Sequence, residues 1–162
     1  MSPSLDCQLL RKSPVWPNDL ETLARQTLDA ALAVIPEKLA ADAELSVLLT
    51  DDAEQQGLNL RWRGLEAPTN VLSFPALAPG APVFGFLGDI SLAFETVDAE
   101  AARNGIPLKH HFAHLLTHGF LHILGYDHLS EVDAGRMEAL EGKVLARLSI
   151  PDPYAAAQRA GA

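Results

Sequence analysis

The eleven-residue stretch H-G-F-L-H-I-L-G-Y-D-H at 118–128 constrains the folding of this chain more than any other. His118 and His122 are four apart, which on a helix sets their side chains about 5–6 Å from each other on one face. Gly125 follows three residues later and suits a helix C-terminus. His128 comes three residues after that glycine, where the turn can swing its imidazole back to the same point. Three imidazoles meeting at a point make a zinc site of the catalytic type, with a fourth coordination position open. The pattern therefore asks for a helix, a tight turn and one zinc ion per chain. All six histidines lie between positions 110 and 128. His114 extends the four-residue repeat backwards from His118, which makes it a candidate for contact with substrate or with a ligand histidine. His110 and His111 read as packing or solvated side chains, and imidazoles near such a cleft can contact phosphate when protonated.

The spacing equals that of the metzincin zinc proteases, H-E-x-x-H-x-x-G-x-x-H. The residue after the first histidine should then be the glutamate that acts as general base, and here it is Gly119. The metal site is kept on this reading and peptidase activity is not.

The remainder must supply one body for that centre. At 162 residues, 48% hydrophobic and 20% charged, the chain suits a single domain with one core and excludes collagen-like, low-complexity and fully disordered classes. Residues 1–154 are read as that domain and 155–162 as a disordered tail. The single cysteine, Cys7, excludes an internal disulfide and a cysteine-rich zinc site, and it fits a reducing compartment. No bilayer-spanning run and no signal peptide is seen, so a cytoplasmic protein without membrane partners is expected. Twelve Lys+Arg against 21 Asp+Glu give −9, which argues against broad adhesion to nucleic acid but leaves room for a local basic cleft.

Strands are predicted over 5–10, 44–50, 70–74 and 83–93, with an exposed loop over 75–82. A helix follows Asn18 and ends at Pro36. Asp51 with Glu54 forms a capping box that opens a short helix to about Trp62. Another helix starts near Pro107 and ends at Gly125. The last one is opened by Ser130 with Asp133, and Val132, Met137, Leu140, Val144, Leu145 and Leu148 form its buried stripe. Strands and helices mix without regular alternation, which predicts an α+β fold: a small mixed sheet packed on helices, with the zinc site on a helix and the turn after it.

The chain resembles the YbeY family of single-strand-specific endoribonucleases of ribosomal RNA maturation. The likeness runs over 45–154 and rests on NLRWRGLEAPTNVLSFP at 59–75, LGDI at 87–90, HGFLHILGYDH at 118–128 and IPDPY at 150–154. Glu66 stands where the family commonly has Asp, and it keeps the charge. The resemblance implies zinc ligation by His118, His122 and His128, and a basic-cleft role for Arg63. It implies a metal-dependent endonuclease, a hydrolase of phosphodiester bonds in single-stranded RNA. The setting would be small-subunit (16S) rRNA processing, ribosome biogenesis and quality control, with the small ribosomal subunit or its assembly factors as partners. Two other readings stay open: a non-catalytic ribosome-assembly binding factor with a structural zinc, and a zinc hydrolase of another substrate. Arg63 could hold a phosphate through its planar fork. Asp89 is placed to orient a ligand histidine or pair with Arg63, Asp127 to support a ligand or form a turn. Trp62 could stack a base, although a large aromatic there more often belongs to a core.

Overall fold

Burial alternates along the second strand: Leu45, Val47 and Leu49 are buried, while Ser46 and Leu48 are only half-buried. One sheet face thus belongs to the core. The computed structural model describes residues 5–65, 69–78, 83–127 and 129–154. Its elements are β1 (Asp6–Arg11), α1 (Leu20–Val34), β2 (Glu44–Thr50), α2 (Asp52–Arg63), β3 (Val71–Pro75), β4 (Phe86–Ala93), α3 (Phe94–Asn104), α4 (Leu108–Ile123) and α5 (Glu131–Arg147). The strands lie in the order β1-β2-β4-β3, with β1, β2 and β4 parallel and β3 antiparallel to β4. This is the α+β class with a small mixed sheet that the sequence predicts.

Helix α4 lies against β3 and β4, and α1 and α5 pack on α4. Phe112, Leu116 and Phe120 of α4 are wholly buried with Val47, Leu49, Ile90 and Leu92 of the sheet. Each such side chain contributes about 1.5–3 kcal/mol relative to exposure. Trp16 sits in the same core, where its indole N–H donates to the Thr50 carbonyl at 2.8 Å. Its ring meets Phe94 and Phe112 edge-on. Helix α2 is held to the other side of β4 by Gln55, whose amide donates to the Ser91 carbonyl at 2.9 Å.

Local signals predicted most boundaries. Asp51 accepts from the Glu54 amide at 2.9 Å and Ser130 from the Asp133 amide at 3.0 Å, as their spacing requires. The first helix is capped by Asp19 without a side-chain cap bond, so Asn18 does not open it. Strand β4 begins at Phe86 rather than 83, and β1 is shifted by one residue. Helix α3 was not anticipated, because it buries only Val97 and Ala101. Val132 is 69% exposed rather than part of the buried stripe. It lies nine residues, two and a half turns, from the buried Glu141 and so on the opposite side of α5. Met137, Val144 and Leu145 are buried as expected, and Leu140 and Leu148 partly so. Trp62 is 65% exposed, not core, and stands edge-on to Phe74. Residues 79–82 of the predicted loop, Glu66 and the 155–162 tail lie outside the described residues. Among the described residues no helix is long and apolar enough to cross a membrane.

Cys7 on β1 is buried, and burial pushes its thiol up to about 11 from 9.0, against a smaller downward pull from Arg25. The folded state thus favours the protonated thiol, and the stabilisation is complete below the unfolded value and lost as pH rises through the folded one. Wild type should lose roughly 2 kcal/mol more than Cys7→Ala between pH 9 and 11. Urea melts at pH 8 and 11 check this, and equal pH dependence of the two proteins would refute it.

Candidate active site

From position 111 to 123 of α4 every residue is buried except His114, His118 and His122. A helix apolar all round would be a purely internal element. Here a histidine stripe at four-residue steps opens one side of it to a cavity of about 530 Å³. Arg63, Thr69, Asn70, Val71, Ser73 and Tyr154 line the same cavity. The His118 and His122 rings have centroids 4.6 Å apart at 82° to each other. Helix α4 ends at Ile123, two residues before the expected Gly125: Leu124 is the C-cap, and Gly125 follows at φ 105°. The Tyr126 hydroxyl donates to Glu37 and ties the turn to the segment after α1. Burial first, and then Glu37, holds that phenol above its ordinary value. Among the described residues no three ligating side chains converge. His128, the third histidine of the pattern, lies outside them.

Arg63 reaches the cavity because α2 ends there. Gly64, at φ 70°, takes the left-handed turn that breaks the helix. Arg61 and Arg63 in the last turn suit the negative end of the helix dipole. The Arg63 guanidinium donates through Nη2 to the Ser73 carbonyl at 3.2 Å, and Ser73 Oγ donates to the Gly119 carbonyl at 3.2 Å. Strand β3 therefore couples the arginine to the turn of α4 between the two histidines.

Gly119 owes its identity to this close approach. A Cβ there would meet Ile90 Cγ2 at 3.0 Å and Ser73 Oγ at 3.1 Å. The position points into the sheet packing, so a glutamate there, as in a metzincin, would have to displace Ile90 and Ser73. Gly119→Glu is expected to destabilise the fold by roughly 3 kcal/mol or more, through overpacking and a buried charge. A thermal melt equal to wild type would contradict this.

The other anticipated residues divide. His114 lines the cavity. His111 does not: it is buried, with Nε2 2.8 Å from Glu100 Oε1, and Asn70 donates to the same carboxylate at 3.0 Å. Asp127 makes a turn, its Oδ1 accepting from the Leu129 amide at 2.8 Å. Asp89 does not line the cavity of the histidines and Arg63. It pairs with Ser46 and Phe74 on the other sheet face and lines a separate groove with Leu10, Trp62 and Phe74.

Two residues went unassigned in the sequence. Glu141 of α5 is wholly buried, with Oε1 2.6 Å from His118 Nδ1, Oε2 3.5 Å from His114 Nε2, and the Tyr154 hydroxyl donating to it. Burial alone would raise its carboxyl, but the contacts with His114, His118 and Tyr154 outweigh that and take it from 4.5 to about 2. Its sequence signal was a charged residue inside the buried stripe of Met137, Val144 and Leu145. Tyr154 ends the IPDPY string, and burial first, then Glu141, keeps its phenol protonated well above the ordinary range.

The family described as Endoribonuclease YbeY matches residues 9–149. Endoribonuclease YbeY of Rhodopseudomonas palustris (strain BisA53) is 49% identical over 147 residues, covering 88% of this chain and 85% of that protein. The protein of that name from Methylocella silvestris is 48% identical over 156 residues, covering 95% and 87%. That from Bradyrhizobium sp. (strain BTAi1) is 45% identical over 166 residues, covering 98% and 97%. The likeness thus extends well in front of position 45, where the motifs alone had placed its start. The solution structure of TM1509 from Thermotoga maritima superposes with a TM-score of 0.58 at 21% identity, over 90% of this chain and 92% of that one, and agrees in fold.

Proposed function

Since the chain belongs to the YbeY endoribonuclease family, we propose that it cleaves phosphodiester bonds in single-stranded RNA with one zinc ion held by His118, His122 and His128. The observation that carries this reading is the single cavity on which His118, His122 and Arg63 open. Two imidazoles one helical turn apart, one of them backed by a buried carboxylate, are a donor set that zinc accepts. When bound, the ion would polarise a phosphate oxygen and lower the pKa of a bound water to about 7.

The protein's own groups do the rest. Arg63 directs a planar guanidinium into the cavity, where it can take two phosphate oxygens at once. Its hold on the Ser73 carbonyl keeps it in register with α4. His114 and Asn70 bound the same space and limit how a strand can lie in it. A chain of net charge −9 gathers RNA through such a cleft and not through its general surface. Small-subunit rRNA, met in the cytoplasm with the small ribosomal subunit or its assembly factors, is the proposed substrate setting. The −9 charge also suits an assembly factor whose zinc is structural, and catalysis separates the two.

The test incubates purified protein with single-stranded and duplex RNA of one sequence, with zinc chelated and restored. Cleavage confined to the single strand, lost on chelation and regained with zinc, is expected. Binding without cleavage under all conditions would favour the assembly factor. Chelator-sensitive proteolysis would return the discarded peptidase.

A further inference from the structure

Glu141 is a carboxylate with no exposed side-chain surface, in a position where α5 otherwise presents Met137, Val144 and Leu145 to the core. A buried, unpaired charge there would cost several kcal/mol. Its two oxygens have separate partners: Oε1 lies 2.6 Å from His118 Nδ1, and Oε2 takes the Tyr154 hydroxyl with His114 Nε2 at 3.5 Å. An ionised carboxylate only accepts, and opposite one the ring nitrogen facing Oε1 is the donor. The nitrogen that would meet a metal is then Nε2. An imidazole N–H bound to a carboxylate also makes the opposite nitrogen a stronger donor.

Tyr154 reaches Glu141 through a built reversal of the chain. Ser149 has φ 60°, the one positive value at a non-glycine position among the described residues. The Ile150 amide turns back to the Leu145 carbonyl at 2.9 Å. Asp152 Oδ1 then accepts from the Tyr154 amide at 2.9 Å. The phenol also lies 3.2 Å from His114 Nε2, so it touches both the carboxylate and the cavity wall. A hydroxyl donor satisfies Oε2 without adding a second charge to a buried place.

We infer that Glu141 and Tyr154 are positioning residues of this centre: Glu141 holds His118 as the Nδ1-protonated tautomer, and Tyr154 fixes the carboxylate that does so. The inference rests on the proposed metal role of His118 only for its consequence, not for the tautomer. The C-terminal IPDPY segment is on this account part of the site rather than an end to the fold.

The experiment uses the full chain as wild type, Glu141→Gln and Tyr154→Phe. Imidazole nitrogen NMR of the metal-free proteins reads which His118 ring nitrogen carries the proton. Competition with a chromophoric chelator reads zinc affinity. Wild type is expected to show His118 protonated on Nδ1. Glu141→Gln, nearly isosteric, is expected to keep its metal-free melting temperature and lose about 10- to 100-fold in zinc affinity. Tyr154→Phe, which removes one partner of the carboxylate and not the carboxylate itself, should lose less than Glu141→Gln. A merely space-filling Glu141 would leave zinc affinity unchanged in the Gln variant, and that result overturns the inference. So does a wild-type His118 protonated on Nε2. Absence of zinc binding in all three proteins would count against the metal assignment alone, while the tautomer still decides the positioning role.

Discussion

A His118→Ala protein should emerge from purification without zinc and melt roughly 5–10 °C below wild type when both are measured with zinc present. The size follows from linkage: a ligand at about 100 times its Kd stabilises the folded state by about 2.7 kcal/mol. For a domain of this length each kcal/mol moves the midpoint by about 2–4 °C. His122→Ala and His128→Ala should lose zinc equally, because three imidazoles are the whole protein ligand set of the proposed site. His118→Ala carries a further cost that survives chelation. It removes the imidazole nitrogen 2.6 Å from Glu141 Oε1 and leaves that buried carboxylate with one partner fewer. An unsatisfied buried acceptor costs about 1–3 kcal/mol, more when charged. His111→Ala is the control that separates the two effects. It should keep its zinc and lose stability, since His111 pairs with Glu100 and does not line the cavity. Metal analysis and melts with and without chelator read all four proteins. Full zinc occupancy in His128→Ala would overturn the three-histidine site.

Which of these groups could be read from the sequence follows from how side-chain direction is encoded. On α4 the code is local: a four-residue step puts His114, His118 and His122 on one stripe whatever the tertiary fold, and the structure keeps that stripe open to one cavity. The Asp51 and Ser130 caps are local too, and both formed. Asp89 depended on information the chain does not carry locally. Its face of the sheet is set by the pairing of β4 with β2, where register slips between Glu44 and Leu45, and each one-residue slip exchanges the two faces. Glu141 was missed for the opposite reason. Charge at a helix position normally marks the solvent side, and only its partners on α4 and at Tyr154 allow it to be buried. Helix α3 was missed because two small buried side chains, Val97 and Ala101, make too faint a stripe. Gly119 showed in the sequence as a missing base. Its reason, the contact with Ile90 and Ser73, needed the sheet.

Arg63→Glu should abolish RNA cleavage while zinc content and melting temperature stay at wild-type values. The fold has little stake in this side chain, which is exposed and among the described residues makes one hydrogen bond, to the Ser73 carbonyl. The reaction has a large one, because charge builds on phosphate oxygens as the bond breaks and a carboxylate there would repel it. Removing a donor aimed at such charge costs on the order of 100- to 1,000-fold in turnover, and reversing its sign should cost more. Arg63→Lys should recover part of the rate, since a point charge cannot reproduce a two-pronged contact. The division between kcat and KM tells what the arginine does. A contact that tightens in the transition state lowers kcat and kcat/KM together. One that only anchors the backbone raises KM, and saturating RNA restores the rate. The first pattern is expected, because the hydrogen bond through Ser73 to Gly119 ties Arg63 to the histidine-bearing turn of α4 rather than to the outer surface. An Arg63→Ala protein that cleaves single-stranded RNA at the wild-type rate, with zinc bound and fold intact, would remove Arg63 from the reaction and leave the histidines as the only supported part of the site.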